Sequence, residues 1–291
     1  MKNIRSIHKA GERHWVGDGF PVRTVFHYGD LGPELTPFLL LDHAGPAQFT
    51  PADKTRGVDW HPHRGFETVT IVYDGEVDHG DTAGNQGSIG PGDVQWMTAG
   101  SGLLHKEFHS PAFSRRGGRF EVLQLWVNLP AKSKMTAPRY QGLVAADFPT
   151  VSLPGDAGSL RVIAGEYEGT KGPASTFTPI RLFDLKLRAG KSARLRLGEG
   201  WGAGLFVLEG KVRLNRSQSA GQEELAVFER GGDEIEIEAV GDARLFVMSG
   251  EPIDEPIAGY GPFVMNTQQE IRQAIVDMQT GRLGRIPAPA H

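Results

Sequence analysis

What most restricts the fold of this chain is its punctuation: short apolar runs, cut at close intervals by Gly, Pro and Asp. Asp74-Gly75 separates Val69-Thr70-Ile71-Val72-Tyr73 from Glu76-Val77, and these two residue types tolerate the positive φ that a type I′ hairpin turn demands. Ser88-Ile89-Gly90-Pro91-Gly92-Asp93 marks a second turn, ahead of Val94-Gln95-Trp96-Met97-Thr98-Ala99-Gly100. Val22-Arg23-Thr24-Val25-Phe26 and Pro37-Phe38-Leu39-Leu40-Leu41-Asp42 read as strands, and so does Val122-Leu123-Gln124-Leu125-Trp126-Val127-Asn128-Leu129, stopped by Pro130. Regularly spaced strands, with 39 Gly and 19 Pro to turn between them, predict an all-β sandwich or barrel.

A length of 291 residues suits two such domains, each able to bury a core. The junction is expected within 131–159, a stretch of mixed polarity punctuated by Pro138, Pro149 and Pro154. Domains at 1–136 and 137–291 follow. The second half echoes the first: Val207-Leu208-Glu209-Gly210-Lys211-Val212 resembles Val72-Tyr73-Asp74-Gly75-Glu76-Val77, and Gly231-Gly232-Asp233-Glu234 resembles Pro91-Gly92-Asp93-Val94, which points to an internal duplication. The tail is predicted to be a helix over about 267–280. Thr267-Gln268-Gln269-Glu270 fits a capping box, Ile271, Ala274, Ile275 and Met278 share one face, and Gly281 stops it. That apolar face is given a packing role.

The totals exclude several classes of function. A formal charge of −4 argues against a broad electrostatic footprint on nucleic acid. No apolar run approaches the ~20 residues that span a bilayer, and MKNIRSIHKAGERHW lacks the core of a secretory signal, so an intracellular protein is expected. Zero cysteine removes disulfides, thiolate metal sites and cysteine nucleophiles. A metal here must use imidazole, carboxylate or water.

Donors of that kind are concentrated in two places. In His61-Pro-His63-Arg64-Gly65-Phe66-Glu67-Thr68-Val69-Thr70, read as one strand, His61, His63 and Glu67 project from a single face. In Leu104-His105-Lys106-Glu107-Phe108, His105 and Glu107 do the same. A sheet folded onto itself can bring the pairs together. Projected through the duplication, His61, His63 and Glu67 fall opposite Arg196, Gly198 and Gly202, and His105 and Glu107 fall opposite Leu245 and Val247. Beyond residue 109 the only histidine is His291. One metal per chain, in the first half, is the consequence. His43, His79 and His109 are assigned ordinary surface or hydrogen-bonding roles, and Trp96 and Trp126 the core, with Phe49, Phe66 or Met97 as candidate pocket residues.

HPHRGFETV, QWMTAGSGLLHKE, LQLWVNLP and GPFVMNT together resemble the pirin family of bicupins. The resemblance runs from about Pro37 to Asn266 and implies two stacked cupin barrels, with one iron in the N-terminal barrel held by His61, His63, His105 and Glu107. Mn, Ni, Cu and Zn suit the same nitrogen and oxygen donors. In many other cupins the carboxylate ligand is the Glu that follows His-x-His. Pirin-like chains use the later one, so Glu67 is assigned to the surroundings of the site, orienting an imidazole or pairing with Arg64. The implied activity is of the quercetin 2,3-dioxygenase type: a flavonol-like substrate and dioxygen, with Glu107 or Glu67 as the candidate base. The alternative from another class is an iron-dependent redox sensor that binds a transcription regulator or metabolic enzyme. Glu234, Glu236 and Glu238, alternating on one strand, are its candidate surface or else a solvated sheet edge.

Overall fold

The computed structural model describes residues 1–286; His291 lies outside them. The chain forms two compact units, both discontinuous in sequence. One contains Glu12–Thr24, Leu40–Ala145 and the chain from Asp254 onward; the other contains Met1–Gly11, Val25–Leu39 and Ala146–Ile253. The expected division at 136/137 therefore describes neither unit in full. Strand β1 (Ile4–Lys9) belongs to the second unit because it pairs with Glu224–Phe228, and Arg139–Leu143 stays in the first because it pairs with Val94–Thr98. Strand pairing outranks proximity in sequence.

The unit holding His61, His63 and His105 is built from β2 (His14–Val16), β3 (Phe20–His27, as far as Thr24), β4 (Phe38–Phe49, from Leu40), β5 (Gly57–His63), β6 (Phe66–Asp74), β7 (Val77–Asp81), β8 (Gln86–Ile89), β9 (Val94–Thr98), β10 (Leu103–His109), β11 (Gly118–Asn128) and β12 (Arg139–Leu143). Seven of these strands form a sheet in the order β12-β9-β6-β11-β4-β3-β2, and the other four a sheet in the order β5-β10-β7-β8. Asp74-Gly75 is thus no hairpin. Its flanking strands lie in different sheets, so the left-handed backbone at Gly75 (φ 91°) turns a corner between them.

The second unit repeats the plan, with a seven-stranded and a four-stranded sheet. Gly210 (φ 86°) makes the same corner, from Gly202–Glu209 in the larger sheet to Lys211–Leu214 in the smaller. The other echo is not equivalent: Gly90–Asp93 leads into β9 of a larger sheet, whereas Gly231–Asp233 leads into Glu234–Ala239 of a smaller one. By position in the sheet, β10 corresponds to Glu234–Ala239, where Ile235, Ile237 and Ala239 are the buried residues. Across from them stand Ala193 and Leu195, also buried. This barrel is filled with hydrocarbon and offers no ligands there. Nor is Glu234–Ala239 an edge: it lies between two partner strands, and its glutamates pair with Arg194, Arg213 and Arg216.

The tail forms the helix Gln268–Gln279, with both bonds of the capping box in place. Ile271 and Ala274 are buried against Phe263, Met265 and Leu283, with Ile275 and Met278 packed beside them. The helix also supplies Asp277, whose carboxylate receives the guanidinium of Arg64 at 2.9 Å.

That ion pair holds the corner on which the site depends. Between β5 and β6 the chain breaks at Arg64-Gly65, with Gly65 at φ 89°. Arg64 also donates to the Ser101 carbonyl at 2.7 Å. Buried Lys134 donates to the Gly65 carbonyl, the Asn128 side chain and the Val264 carbonyl at 2.7–2.9 Å. A Cβ on Gly65 would sit 2.0 Å from the Val264 oxygen. Gly65→Ala is therefore expected to cost about 3 kcal/mol or more, through clash and strain together. Gly84→Ala has the same sign of φ and open space around it, so only the conformational cost of about 1 kcal/mol is expected. Denaturant unfolding of the two variants checks the difference.

Candidate metal centre

Strands β5 and β10 run antiparallel with His61 opposite His105 and His63 opposite Leu103. Alternation along β10 turns Leu103, His105, Glu107 and His109 inward. The ring centroids of His61 and His105 are 4.1 Å apart, those of His63 and His105 4.7 Å, and those of His61 and His63 5.0 Å. One donor atom from each of the three lies within 4.8 Å of the others. Glu107 falls in an overlapping group with His79 and His105, and it lines a cavity together with His61 and His63.

The electrostatics suit a cation. Burial, reinforced by the neighbouring imidazoles, pushes the pKa values of His63 and His105 well below the ordinary histidine value. Both rings are neutral at physiological pH and keep lone pairs. Nδ1 of His63 and Nε2 of His105 are buried without a hydrogen-bond partner, an arrangement that costs stability unless something is bound there. His61 Nδ1 donates to the Asp59 carbonyl at 2.8 Å, which leaves its Nε2 as the acceptor. Glu107 accepts at Oε1 from the Gln95 amide at 3.2 Å, and the Thr70 hydroxyl, whose one hydrogen goes to Gln124 at 2.7 Å, lies 3.2 Å from the same oxygen. Three imidazoles and a carboxylate make a donor set that fits a divalent first-row metal.

The cavity has a volume of about 360 Å³. Val16, Phe20, Val22, Val58, Val122 and Trp126 give it mainly hydrocarbon walls, and Asp42 and Gln124 add polar groups. Trp126 is a wall residue, stacked on Phe66 with centroids 4.3 Å apart. Trp96, by contrast, is fully buried, as expected. Phe49 packs with His109, Phe113 and Phe120, and Met97 with Ala99 and Leu103; neither lines the cavity.

Glu67 does not share the face of His61 and His63. The turn at Gly65 resets the alternation, so Phe66 meets the His63 ring and Thr70 reaches Glu107, while Glu67 accepts from the Thr98 hydroxyl at 2.7 Å. Glu67 is absent from the cavity lining, and its expected pairing with Arg64 is not formed, because Arg64 is taken by Asp277. His43 and His109 are hydrogen-bonded and not at the surface: His43 meets Glu121, and His109 donates to the Gly19 carbonyl.

The residue that sequence reasoning undervalued is His79. It is buried, 3.1 Å from Asp81, 3.3 Å from the Gln95 amide and 3.4 Å from His105 Nδ1. Its ring stacks on Tyr140, whose hydroxyl, pushed up to about 12 by burial and by the charges of Glu107 and Asp81, donates to Gln95. Burial works against ionisation of Asp81, but bonds from His79 and Asn85 outweigh it and hold the carboxyl below its ordinary value. The available signal was His79-Gly80-Asp81, two polar residues at strand spacing.

Two barrels in tandem, with donors converging in only one among the described residues, define a bicupin with a candidate metal centre in that barrel. The chain belongs to the pirin family: residues 19–127 match Pirin and residues 182–284 match the Pirin C-terminal cupin domain. It is 54% identical to a Pseudomonas aeruginosa protein named "Putative quercetin 2,3-dioxygenase", over 98% of this chain and 99% of that one. It is 40% identical to a pirin-like protein of Solanum lycopersicum, over 92% of this chain and 88% of that one. The crystal structure of quercetin 2,3-dioxygenase from Acinetobacter baumannii superposes with a TM-score of 0.96 at 50% identity, covering 99% of this chain and all of the other.

Glu67 carries a measurable consequence. Burial raises its pKa to about 7, against the bond from Thr98, the nearby Trp96 indole and the charge of Arg139, which lower it. An unfolded carboxyl ionises near 4.5, so the folded state binds the extra proton between these values and stability falls as pH rises through that window. Above it the full cost of the charge is present. Glu67→Gln is expected to match the parent near pH 4.5 and to exceed it by on the order of 3 kcal/mol above pH 7, as read from denaturant unfolding across pH.

Proposed function

We propose that this protein is a mononuclear metal-dependent dioxygenase that opens the ring of a flavonol such as quercetin, with iron(II) held by His61, His63, His105 and Glu107. The observation that carries the reading is the convergence of His61, His63 and His105 beside an apolar, ligand-sized cavity that His61, His63 and Glu107 line. A metal without a cavity would serve a regulator as well. A cavity walled by valine, phenylalanine and tryptophan favours a flat aromatic substrate.

The chain's own residues divide the work. Val16, Phe20, Val22 and Val58 exclude water from the reacting ring, and the Trp126 face offers it a stacking partner. Glu107, fixed at Oε1 by Gln95, is the carboxylate best placed to accept the proton of a flavonol hydroxyl. Gln124 is oriented by the Thr70 hydroxyl, which donates to its Oε1 at 2.7 Å, so its amide N–H groups are free to orient a substrate oxygen. When bound, the divalent metal supplies Lewis-acid stabilisation of the deprotonated hydroxyl and a redox partner for dioxygen.

The regulatory reading has less support. The glutamates of its candidate surface are neutralised by arginines across the same sheet. Among the described residues no helix is long and apolar enough to cross a membrane.

Anaerobic loading with iron(II), followed by quercetin and oxygen, is expected to release carbon monoxide. His61→Ala is expected to lose both metal and turnover, by more than about 100-fold. Full turnover by metal-free protein would overturn the reading. Silence with metal bound, together with redox-dependent capture of a partner, would favour the regulator.

A further inference from the structure

Two overlapping groups compete for a metal: His61, His63 and His105 on one side, and His79, His105 and Glu107 on the other. The hydrogen bonds around His79 decide between them. Gln95 is oriented from both ends, since its Oε1 accepts from the Tyr140 hydroxyl at 3.1 Å and its NH₂ faces the Glu107 carboxylate at 3.2 Å. That NH₂ also lies 3.3 Å from His79 Nδ1. An amide nitrogen only donates, so His79 Nδ1 is an acceptor. The ring hydrogen is then on Nε2, which donates to Asp81 Oδ2 at 3.1 Å. Both nitrogens of His79 are engaged, and neither is free for a metal.

The same logic passes to His105. Its Nδ1 stands 3.4 Å from the accepting Nδ1 of His79, so it carries the hydrogen. The lone pair of His105 is consequently on Nε2, the buried atom without a partner. Asp81 anchors the chain of bonds: its Oδ1 accepts from the backbone N–H groups of Ala83 and Asn85 at 2.9 and 3.0 Å, which locks the carboxylate in the turn after β7.

We propose that Asp81 and His79 are positioning residues for metal binding: the relay Asp81–His79–His105 fixes the tautomer of His105 that presents Nε2 to His61 and His63. The relay rests on the metal-centre reading above, but the tautomer is a property of the metal-free protein and can be tested without it. His79 orients a ligand and is not itself one. The carboxylate at one end and the Gln95 amide beside His79 together set the direction of the bonds along it.

Asp81→Asn tests that direction. The two backbone N–H groups require an oxygen at the Oδ1 position, so the new NH₂ must face His79 Nε2. That nitrogen then accepts and the hydrogen moves to Nδ1, which breaks the 3.3 Å bond from the Gln95 amide while Gln95 keeps its bonds to Glu107 and Tyr140; His105 is driven to the opposite tautomer, with its Nε2 lone pair lost. Nitrogen-15 spectra of the metal-free proteins are expected to show His105 protonated at Nδ1 in the parent and at Nε2 in D81N. Chelator competition with nickel(II), a redox-inert probe of such donors, is expected to show D81N weakened about 10–100-fold. His79→Phe keeps the ring that stacks on Tyr140, removes the acceptor, and carries the test if D81N does not fold; a loss of about tenfold is expected.

In the His79→Phe background Asp81→Asn is expected to cost nothing further, because Asp81 acts through His79; two merely structural roles would give additive losses. An unchanged His105 tautomer with parental nickel affinity in D81N, or additive losses in the double variant, would overturn the proposal. Failure of the parent to bind nickel(II) or iron(II) would instead overturn the metal-centre reading, and the spectra alone would then decide the relay.

Discussion

The corner at Arg64-Gly65 is the constraint on which the site depends. A continuous strand from His61 to Thr70 would direct Glu67 to the same side as the histidines. The left-handed residue at Gly65 breaks that strand into two that join different sheets. The corner is stabilised by charge rather than by hydrocarbon: Arg64 is bound to Asp277 and the Ser101 carbonyl, and Lys134 to three oxygens. Buried cations persist only when so completely satisfied. Burial still pulls Lys134 down to about 8, with Glu255 and Glu270 opposing it. The C-terminal helix thus does more than pack, since it supplies the carboxylate that anchors Arg64 next to His63 of the candidate centre.

Beyond the corner, the centre is a problem in directing lone pairs. His63 and His105 are kept neutral by burial and by the neighbouring imidazoles, so the arrangement of hydrogens matters more than the number of nitrogens. Each partner is a group with no choice of role. The Asp59 carbonyl can only accept from His61, and the Gln95 amide nitrogen can only donate to His79. A polar network satisfied in this one-directional way leaves unpaired those atoms that a cation would take.

Comparison of the two units separates fold from chemistry. Both have a seven-stranded and a four-stranded sheet, and both turn from one to the other at a positive-φ glycine. In the second, inward positions carry Ile235, Ile237, Ala193 and Leu195, which close the barrel as a core. In the first, equivalent strands carry His61, His63, His105 and Glu107, and a cavity remains. The gain is a site, and the cost is buried polar atoms held by a network.

The sequence by itself determined the all-β architecture, the matching turns at Gly75 and Gly210, the capped tail helix and the shared faces of His61 with His63 and of His105 with Glu107, because turn chemistry and period-two alternation are local properties; the convergence of the histidines needed β5 to pair with β10. The face of Glu67 was decided only in three dimensions, since one left-handed residue resets alternation and no propensity announces it. The exchange of terminal segments between units was decided there too, because strand pairing is non-local. So was the place of His79: a histidine among glycines in sequence becomes the hinge of a relay only when β7, β9 and β10 bring Asp81, Gln95 and His105 around it.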